Sequence, residues 1–208
     1  MVYNFMRALL RILSSVWFDL KVYGKENVPK TGGVLLVANH QSFLDPAVLG
    51  VQLQRKSSFL AKSELFENPV CGWIIRRCNA FPVRQGEGDV GAVKETIRRL
   101  QEGHMLTVFP EGGRCTDGEL QPILNGASLV VRKAEVPIVP VVIEGSFKAW
   151  PRGKRFWQRH PIRVLFGKPA VVHQMKAKEI TAFIDRQLNE LLAELRAKIA
   201  EEKRGGGD

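Results

Sequence analysis

Residues 34–46 of this chain read VLLVANHQSFLDP, an apolar run that ends on polar residues and then a proline. The run from Val34 to Ala38 predicts a strand buried on both faces, as in the parallel sheets of α/β proteins. In such sheets, ligands and chemistry lie at the carboxyl ends of the strands. We therefore expect a functional site where His40 follows this strand.

His40 and Asp45 are suited to act together. A neutral imidazole accepts a proton near pH 7, and a carboxylate on its second nitrogen orients the ring and stabilises the imidazolium. Their separation in sequence requires a turn that brings Asp45 back to the ring as the next helix begins. Asp45 before Pro46 is also a typical helix start, so a purely structural role for Asp45 is an alternative.

A second segment, residues 105–114, reads MLTVFPEGGR and also ends a strand-like run abruptly. Gly112 and Gly113 allow a tight turn that brings backbone amides close to a ligand. Arg114 offers a planar fork that suits a phosphate group. The alternative is an ordinary Gly-Gly turn followed by a solvated arginine.

Together, the two segments resemble the glycerolipid acyltransferase family, whose best-known members are lysophosphatidic acid acyltransferases. Two further stretches extend the resemblance, FPVR at residues 81–84 and VPIVPVVI at residues 136–143. Four motifs in this order are specific for the family, and the resemblance spans roughly residues 20–170. The motifs are much less specific for the substrate.

The resemblance implies that His40 is the general base that deprotonates the acceptor hydroxyl, with Asp45 orienting it. It implies direct transfer from acyl-ACP or acyl-CoA to the free hydroxyl of 1-acylglycerol 3-phosphate, with no metal and no cofactor besides the acyl donor. The absence of a Gly-x-Ser-x-Gly nucleophile motif agrees with direct transfer. The residues implied in binding the acceptor are Lys62, Arg84, Glu111, Gly112, Gly113 and Arg114.

Three positions depart from the family pattern. Members commonly carry threonine where Gly113 stands, serine where Cys115 stands and lysine where Asn125 stands. These departures weaken the phosphate assignment and leave another lysolipid acceptor, such as a lyso-aminolipid, as the main alternative. A lipid- or nucleic-acid-binding protein that has lost catalysis is a second alternative. The intact set of His40, Asp45, Glu111 and Arg114 argues against it.

The formal net charge of +10 indicates an acidic partner. Residues 151–160 mix cations with two aromatic residues, which suits lipid head groups and also single-stranded nucleic acid. Because no nucleic-acid-binding motif is present, we expect an anionic membrane surface and no nucleic acid. The odd number of cysteines, three, without metal or redox spacing favours a reducing compartment.

Residues 1–19 have apolar side chains at helical spacing and are interrupted by Arg7 and Arg11. No stretch of about 18 uncharged apolar residues occurs in the chain, so a spanning helix is not expected. We predict an amphipathic helix in the membrane interface, with Trp17 and Phe18 as anchors, and a peripheral or monotopic protein on the cytoplasmic face. Packing of this helix on the domain's own core is the alternative.

The remaining pattern predicts one acyltransferase domain over residues 20–204 and a flexible tail over residues 205–208. Strands are predicted at residues 20–23, 33–38, 58–61, 105–109, 138–143 and 162–166. Helices are predicted at residues 46–54, 64–77, 90–101, 127–134 and 176–202. This alternation predicts an α/β fold with a largely parallel central sheet flanked by helices.

Overall fold

A computed structural model describes residues 11–205 apart from 13, 54, 78, 84–88, 152 and 155. The strands are β1 Lys21–Tyr23, β2 Val34–Ala38, β3 Ser57–Lys62, β4 Ala80–Val83, β5 Met105–Val108, β6 Ile138–Glu144 and β7 Arg163–Phe166. They form one sheet in the order β1-β7-β6-β2-β5-β3-β4. Neighbouring strands pair in parallel except β6 and β7, which are antiparallel. The prediction of a largely parallel α/β sheet is confirmed.

Helices cover both faces of the sheet. They are α1 Asp45–Gln52, α2 Pro69–Arg77, α3 Val90–Gln101, α4 Gly126–Ala134, α5 Ser146–Ala149 and α6 Ala177–Gly205. One apolar core joins the sheet to α3, α4 and α6, and a second joins the opposite face to α1 and α5. Strand β2 is buried along its length because Leu35 and Val37 enter the first core while Val34, Leu36 and Ala38 enter the second.

The predicted helix over residues 64–77 is wrong in its first half. Ser63–Phe66 is a 3-10 helix, and the α-helix begins only at Pro69. A residue before proline is disfavoured in the helical conformation, so Asn68 separates the two segments. Strand β4 and helix α5 were not predicted; β4 lies at the edge of the sheet, where a residue such as Pro82 is tolerated.

The two ends of the chain lie partly outside the described residues. Helix α6 continues to Gly205, and the rest of the predicted tail, residues 206–208, is not described. Of the predicted N-terminal helix over residues 1–19, residues 11, 12 and 14–19 are described. Residues 11, 12 and 14–17 are helical, and the helix ends before Phe18. Among the described helices, none combines the length and apolar character that crossing a membrane requires.

The described N-terminal residues show two different faces. Phe18, 8% exposed, packs in the second core, so its prediction as a membrane anchor is wrong. Ile12, Val16 and Trp17 are instead 62%, 70% and 48% exposed. One side of this segment therefore packs on the domain, as the alternative prediction had it, while an apolar side stays exposed.

Candidate active site

The sequence motifs meet at the carboxyl ends of the central strands. Strands β2, β3 and β5 are parallel neighbours, so their carboxyl ends lie together. His40 follows β2, the Phe109–Arg114 loop follows β5, and Lys62 is the last residue of β3. The strand order thus joins segments that are far apart in the chain.

His40 and Asp45 form the predicted pair. His40 Nδ1 lies 2.9 Å from Asp45 Oδ2. Because a carboxylate accepts, this contact places the proton on Nδ1 and leaves the Nε2 lone pair available as a base. The Asp45 side chain is fully buried, whereas that of His40 is 17% exposed, so a substrate can reach the ring.

The same carboxylate oxygen also holds the turn. Asp45 Oδ2 accepts the backbone N–H groups of Gln41 and Ser42, each at 2.7 Å. These amides precede α1, and the residue at the N-cap of α1 is Leu44. The alternative that Asp45 is simply a helix cap is therefore wrong. Its Oδ2 accepts hydrogen bonds from the two amides before the helix and from the imidazole, and not from the amides of the first turn of α1.

The backbone around His40 is fixed on both sides by neighbours across the sheet. Asn39 accepts the N–H of Ile143 at 2.7 Å and donates to its carbonyl at 3.0 Å, which ties the end of β2 to β6. The carbonyl of His40 accepts the N–H of Cys115 at 2.9 Å. The His40 ring stacks on Phe109, with the ring centroids 4.0 Å apart. These contacts restrict the orientation of the base before substrate arrives.

Glu111 is a positioning residue for this backbone. Its Oε1 accepts the N–H of His40 at 2.8 Å, and its Oε2 accepts that of Gln121 at 3.1 Å. Burial raises the pKa of Glu111 to about 7, and the two amide bonds only partly oppose that effect. Glu111 thus links the backbone at His40 to that at Gln121.

A pH-dependent stability is expected from Glu111. Its folded-state pKa lies above the ordinary value, so its contribution to folding is greatest at low pH and is lost as the pH rises through about 7. Urea unfolding followed between about pH 5 and pH 8 should show that wild type loses stability with rising pH relative to Glu111→Gln, whose amide does not titrate. Parallel pH profiles for the two proteins would contradict this account.

Arg114 lies beside the catalytic turn and stacks on an aromatic ring. Its Cζ is 3.4 Å from the centroid of the Phe43 ring. Phe43 lies between His40 and Asp45 in the sequence, is 51% exposed, and contacts Trp150 at 5.7 Å between ring centroids. The structure thereby joins the predicted phosphate-binding arginine to the turn that carries the base. Sequence reasoning missed Phe43, because an aromatic residue inside the motif carries no local sign of a distant cationic partner.

Replacing Phe43 by leucine is expected to raise the KM for the acceptor about 2- to 30-fold, because a cation–π contact contributes roughly 0.5 to 2 kcal/mol. Phe43→Tyr keeps the ring and serves as the matched control. Steady-state kinetics with varied acceptor at saturating donor would measure both. An equal loss for tyrosine and leucine, or a fall in kcat with KM unchanged, would argue against this role.

Two predicted residues shape the loop through their backbones. Gly112 has a φ of 70°, a left-handed conformation that residues with a side chain rarely adopt, so this position favours glycine. Gly113 is half-buried in the same turn. Lys62 is exposed at the end of β3, and Arg84 lies outside the described residues, so its role stays a prediction.

Cys115 and Asn125, which depart from the family pattern, both have structural surroundings that do not suit phosphate binding. The Cys115 side chain is buried, and burial raises its pKa to about 11, so it is neither a thiolate nor an accessible phosphate ligand. Asn125 Oδ1 accepts the hydroxyl of Thr181 at 3.1 Å, which joins the start of α4 to α6. Neither residue substitutes for the hydroxyl or ammonium group of the family pattern.

A cleft of about 740 Å³ lies beside the site, bordered by Gly118, Arg163, Arg196 and Glu202, and neither His40 nor Asp45 lines it. Most of its charges are already paired: Arg163 with Glu202, and Arg196 with Glu144 and Glu119. Among the described residues, no group of acidic, histidine and cysteine side chains is arranged to hold a metal ion.

Comparison with known proteins shows which family this chain resembles. The family model described as Acyltransferase matches residues 19–144. A 1-acyl-sn-glycerol-3-phosphate acyltransferase of Bacillus subtilis is 29% identical over 95% of this chain and 98% of its own length. A chloroplastic enzyme of the same name from Brassica napus is 30% identical over 80% of this chain and 52% of its own length.

A solved structure is similar as well. The crystal structure of the 1-acyl-sn-glycerophosphate acyltransferase PlsC from Thermotoga maritima matches with a TM-score of 0.80 and 27% identity. The match covers 94% of this chain and 81% of that one. The similarity therefore extends over most of the fold described above.

Proposed function

This chain belongs to the acyltransferase family, and we propose that it transfers a fatty acyl chain from acyl-CoA or acyl-ACP to the free hydroxyl of 1-acylglycerol 3-phosphate, a step of phospholipid synthesis. The observation that carries the proposal is the 2.9 Å contact between His40 Nδ1 and Asp45 Oδ2 at the carboxyl end of β2. With the proton on Nδ1, the Nε2 lone pair of His40 is available as a base, and the side chain is 17% exposed. Several similar proteins carry the name of this activity.

In the proposed reaction, His40 Nε2 takes the proton of the acceptor hydroxyl as its oxygen attacks the thioester carbonyl. The imidazolium that forms is stabilised by the carboxylate of Asp45. The tetrahedral intermediate then expels the thiolate of the donor, which takes the proton back from the imidazolium. The C–S bond breaks, the C–O bond forms, and His40 returns to its neutral state.

Direct transfer is supported by the state of the nearest cysteine. A covalent acyl-enzyme needs an accessible thiolate or an activated hydroxyl. Cys115 is 1% exposed, and its pKa is raised to about 11. These properties exclude Cys115 as the site of an acyl-enzyme, and in the proposed reaction the acyl group passes directly between two substrates bound together.

The acceptor phosphate is assigned to Arg114. A guanidinium forms two parallel hydrogen bonds to a phosphate, and stacking on Phe43 limits the orientations of this fork. Lys62 is exposed on the same edge of the sheet and is a second cation for the phosphate. The predicted role of Arg84 belongs to the same proposal.

The purified protein should be assayed against a panel of lysolipids with acyl-CoA and acyl-ACP in turn. Transfer to 1-acylglycerol 3-phosphate well above that to lysophosphatidylethanolamine supports the proposal. The reverse preference would establish the lyso-aminolipid alternative. Lack of transfer to every acceptor, by a folded protein with either donor, would leave a binding protein as the better description.

We also propose that the protein binds peripherally or monotopically to the cytoplasmic face of an anionic membrane. The support is the exposed apolar side of the N-terminal segment, Ile12, Val16 and Trp17. A second support is the exposed pair Phe156 and Trp157, which Lys154 and Arg159 flank in the sequence. Amphipathic surfaces of this kind bind lipid through apolar insertion and head-group attraction.

Replacing Val16 and Trp17 together by serine is expected to weaken binding to anionic vesicles by about tenfold or more, since each buried apolar side chain contributes roughly 1.5 to 3 kcal/mol. Both side chains are exposed, so folding should be unchanged. Val171→Ser, also at an exposed apolar side chain, is the control. Vesicle sedimentation measures the effect; equal binding by all three proteins would exclude this surface.

A further inference from the structure

A second cleft lies at the amino ends of the strands, whereas His40 lies at their carboxyl ends. It has a volume of about 500 Å³, and the cations that line it are Arg11, Lys25, Lys30 and Arg55. Lys30 precedes β2 and Arg55 precedes β3, so the cleft adjoins the amino ends of these strands. His40 follows the carboxyl end of β2, and the two sites are therefore distinct.

The cations of this cleft outnumber the acidic residues that line it. Glu26 is the acidic residue among the described residues that line it. Lys25 Nζ donates to Gln52 Oε1 at 2.8 Å, a neutral acceptor. Among the described residues, no ion pair joins Arg11, Lys25, Lys30 or Arg55 to a carboxylate. Residues 1–18 contain neither aspartate nor glutamate, so that part of the sequence supplies no counter-charge.

One of these charges is held in place by the fold. Arg55 donates to the carbonyls of Pro29, Gly32 and Gly103 at 2.7 to 2.8 Å. Carbonyl oxygens orient the guanidinium without neutralising it. Burial, together with the charge of Arg11, lowers the pKa of Lys25, as expected for cations that converge without an anion. The arrangement becomes favourable when an anion occupies the cleft.

The surface next to the cleft indicates the source of that anion. Arg11 lines the cleft, and Ile12, Val16 and Trp17 of the same helical segment expose apolar side chains. Cations beside an exposed apolar face match the head-group and acyl regions of a bilayer. A soluble anion would require the cations but not the apolar face.

We propose that this cleft binds the phosphate of an anionic phospholipid in the bilayer, at a site separate from that of the acceptor. The proposal rests on the proposed membrane association and not on the proposed reaction. Occupation of the cleft would place the sheet face that α1 and Phe18 cover along the membrane. Phe43 and the His40 site would then border the lipid from which an acceptor enters.

The test compares two charge-matched double variants. Lys25→Gln with Lys30→Gln removes two cations from the cleft, whereas Lys133→Gln with Lys178→Gln removes two exposed cations from α4 and α6 on the other side of the sheet. Each protein is sedimented with neutral phosphatidylcholine vesicles and with vesicles that contain phosphatidylglycerol. At about fivefold per cation, the cleft variant should lose roughly 25-fold in affinity for the anionic vesicles, and the control less than fivefold.

Lys25→Arg with Lys30→Arg should restore binding, since it keeps both charges. Melting temperatures establish that each variant is folded. Turnover in neutral detergent micelles should equal that of wild type for all variants, so failure of the proposed reaction would appear as inactive wild type and would not affect the vesicle result.

Three results would overturn the proposal. Equal losses in both double variants would show a diffuse charge effect. Binding of inorganic phosphate that the cleft variant abolishes, with vesicle binding unchanged, would show a site for a soluble anion. Loss of transfer from acyl-ACP but not acyl-CoA, with vesicle binding unchanged, would show a docking site for the carrier protein.

Discussion

Replacing His40 by alanine is expected to lower kcat by about 10² to 10⁴, because the acceptor hydroxyl then loses its general base. The protein should remain folded, since the His40 side chain is partly exposed and the contacts that Glu111 and Cys115 make to this residue use its backbone. Single-turnover rates with saturating acceptor and donor would measure the loss directly. Activity within a few-fold of wild type would remove His40 from the mechanism.

Asp45→Asn separates the two tasks of this carboxylate. An asparagine oxygen can still accept the amides of Gln41 and Ser42, but it carries no charge to stabilise the imidazolium, and its amide group favours the wrong tautomer of His40. We expect a large fall in kcat with a small change in melting temperature. A large fall in melting temperature with kcat preserved in the folded fraction would instead make Asp45 purely structural.

Replacing Arg114 by alanine is expected to raise the KM for the acceptor by roughly tenfold to over a hundredfold. A charge-assisted hydrogen bond to phosphate contributes about 1.5 to 3 kcal/mol, and the guanidinium can form two. Arg114→Lys should recover part of this loss, because an ammonium keeps the charge without the planar fork. Initial rates with each substrate varied in turn would provide the two KM values.

The KM for the donor is the internal control in that experiment. If it rises while that of the acceptor is unchanged, Arg114 serves the phosphates of coenzyme A. If neither KM moves, the phosphate-monoester acceptor is the wrong assignment, and a lysolipid without that phosphate becomes the better candidate. Measuring the KM values for acceptor and donor in the Arg84→Ala variant would test the predicted role of Arg84 in the same way.

The strands and helices that were predicted correctly are those whose sequence patterns lie within a few neighbouring residues. The apolar run Val34–Ala38 predicts β2 because both faces of a central parallel strand are buried. Helix α3, Val90–Gln101, agrees with its predicted bounds, and its N-cap Asp89 accepts the N–H of Ala92 at 3.0 Å. The pairing of His40 with Asp45 was also predictable, because a five-residue turn constrains both partners locally.

The supporting contacts of the base were not predictable, because they depend on the order of strands in the sheet. Glu111 reaches the N–H of His40 because β5 is a neighbour of β2. Asn39 reaches Ile143 because β6 is the neighbour on the other side. Hydrophobic periodicity identifies a strand and its buried faces but contains no information about which distant strand lies beside it.

At the surface, too, local sequence patterns predict the helix but not which of its side chains are buried. Helical spacing predicts an apolar stripe at the N-terminus, but it does not distinguish Phe18, which packs in the core, from Trp17, which stays exposed. Lys25, Lys30 and Arg55 converge on one cleft from two connections, the first between β1 and β2 and the second between α1 and β3, which meet only in the folded chain. Local sequence patterns therefore determine the helices and strands and the pairing of His40 with Asp45. Strand order and loop packing determine what surrounds that pair, because both depend on contacts between residues far apart in the chain.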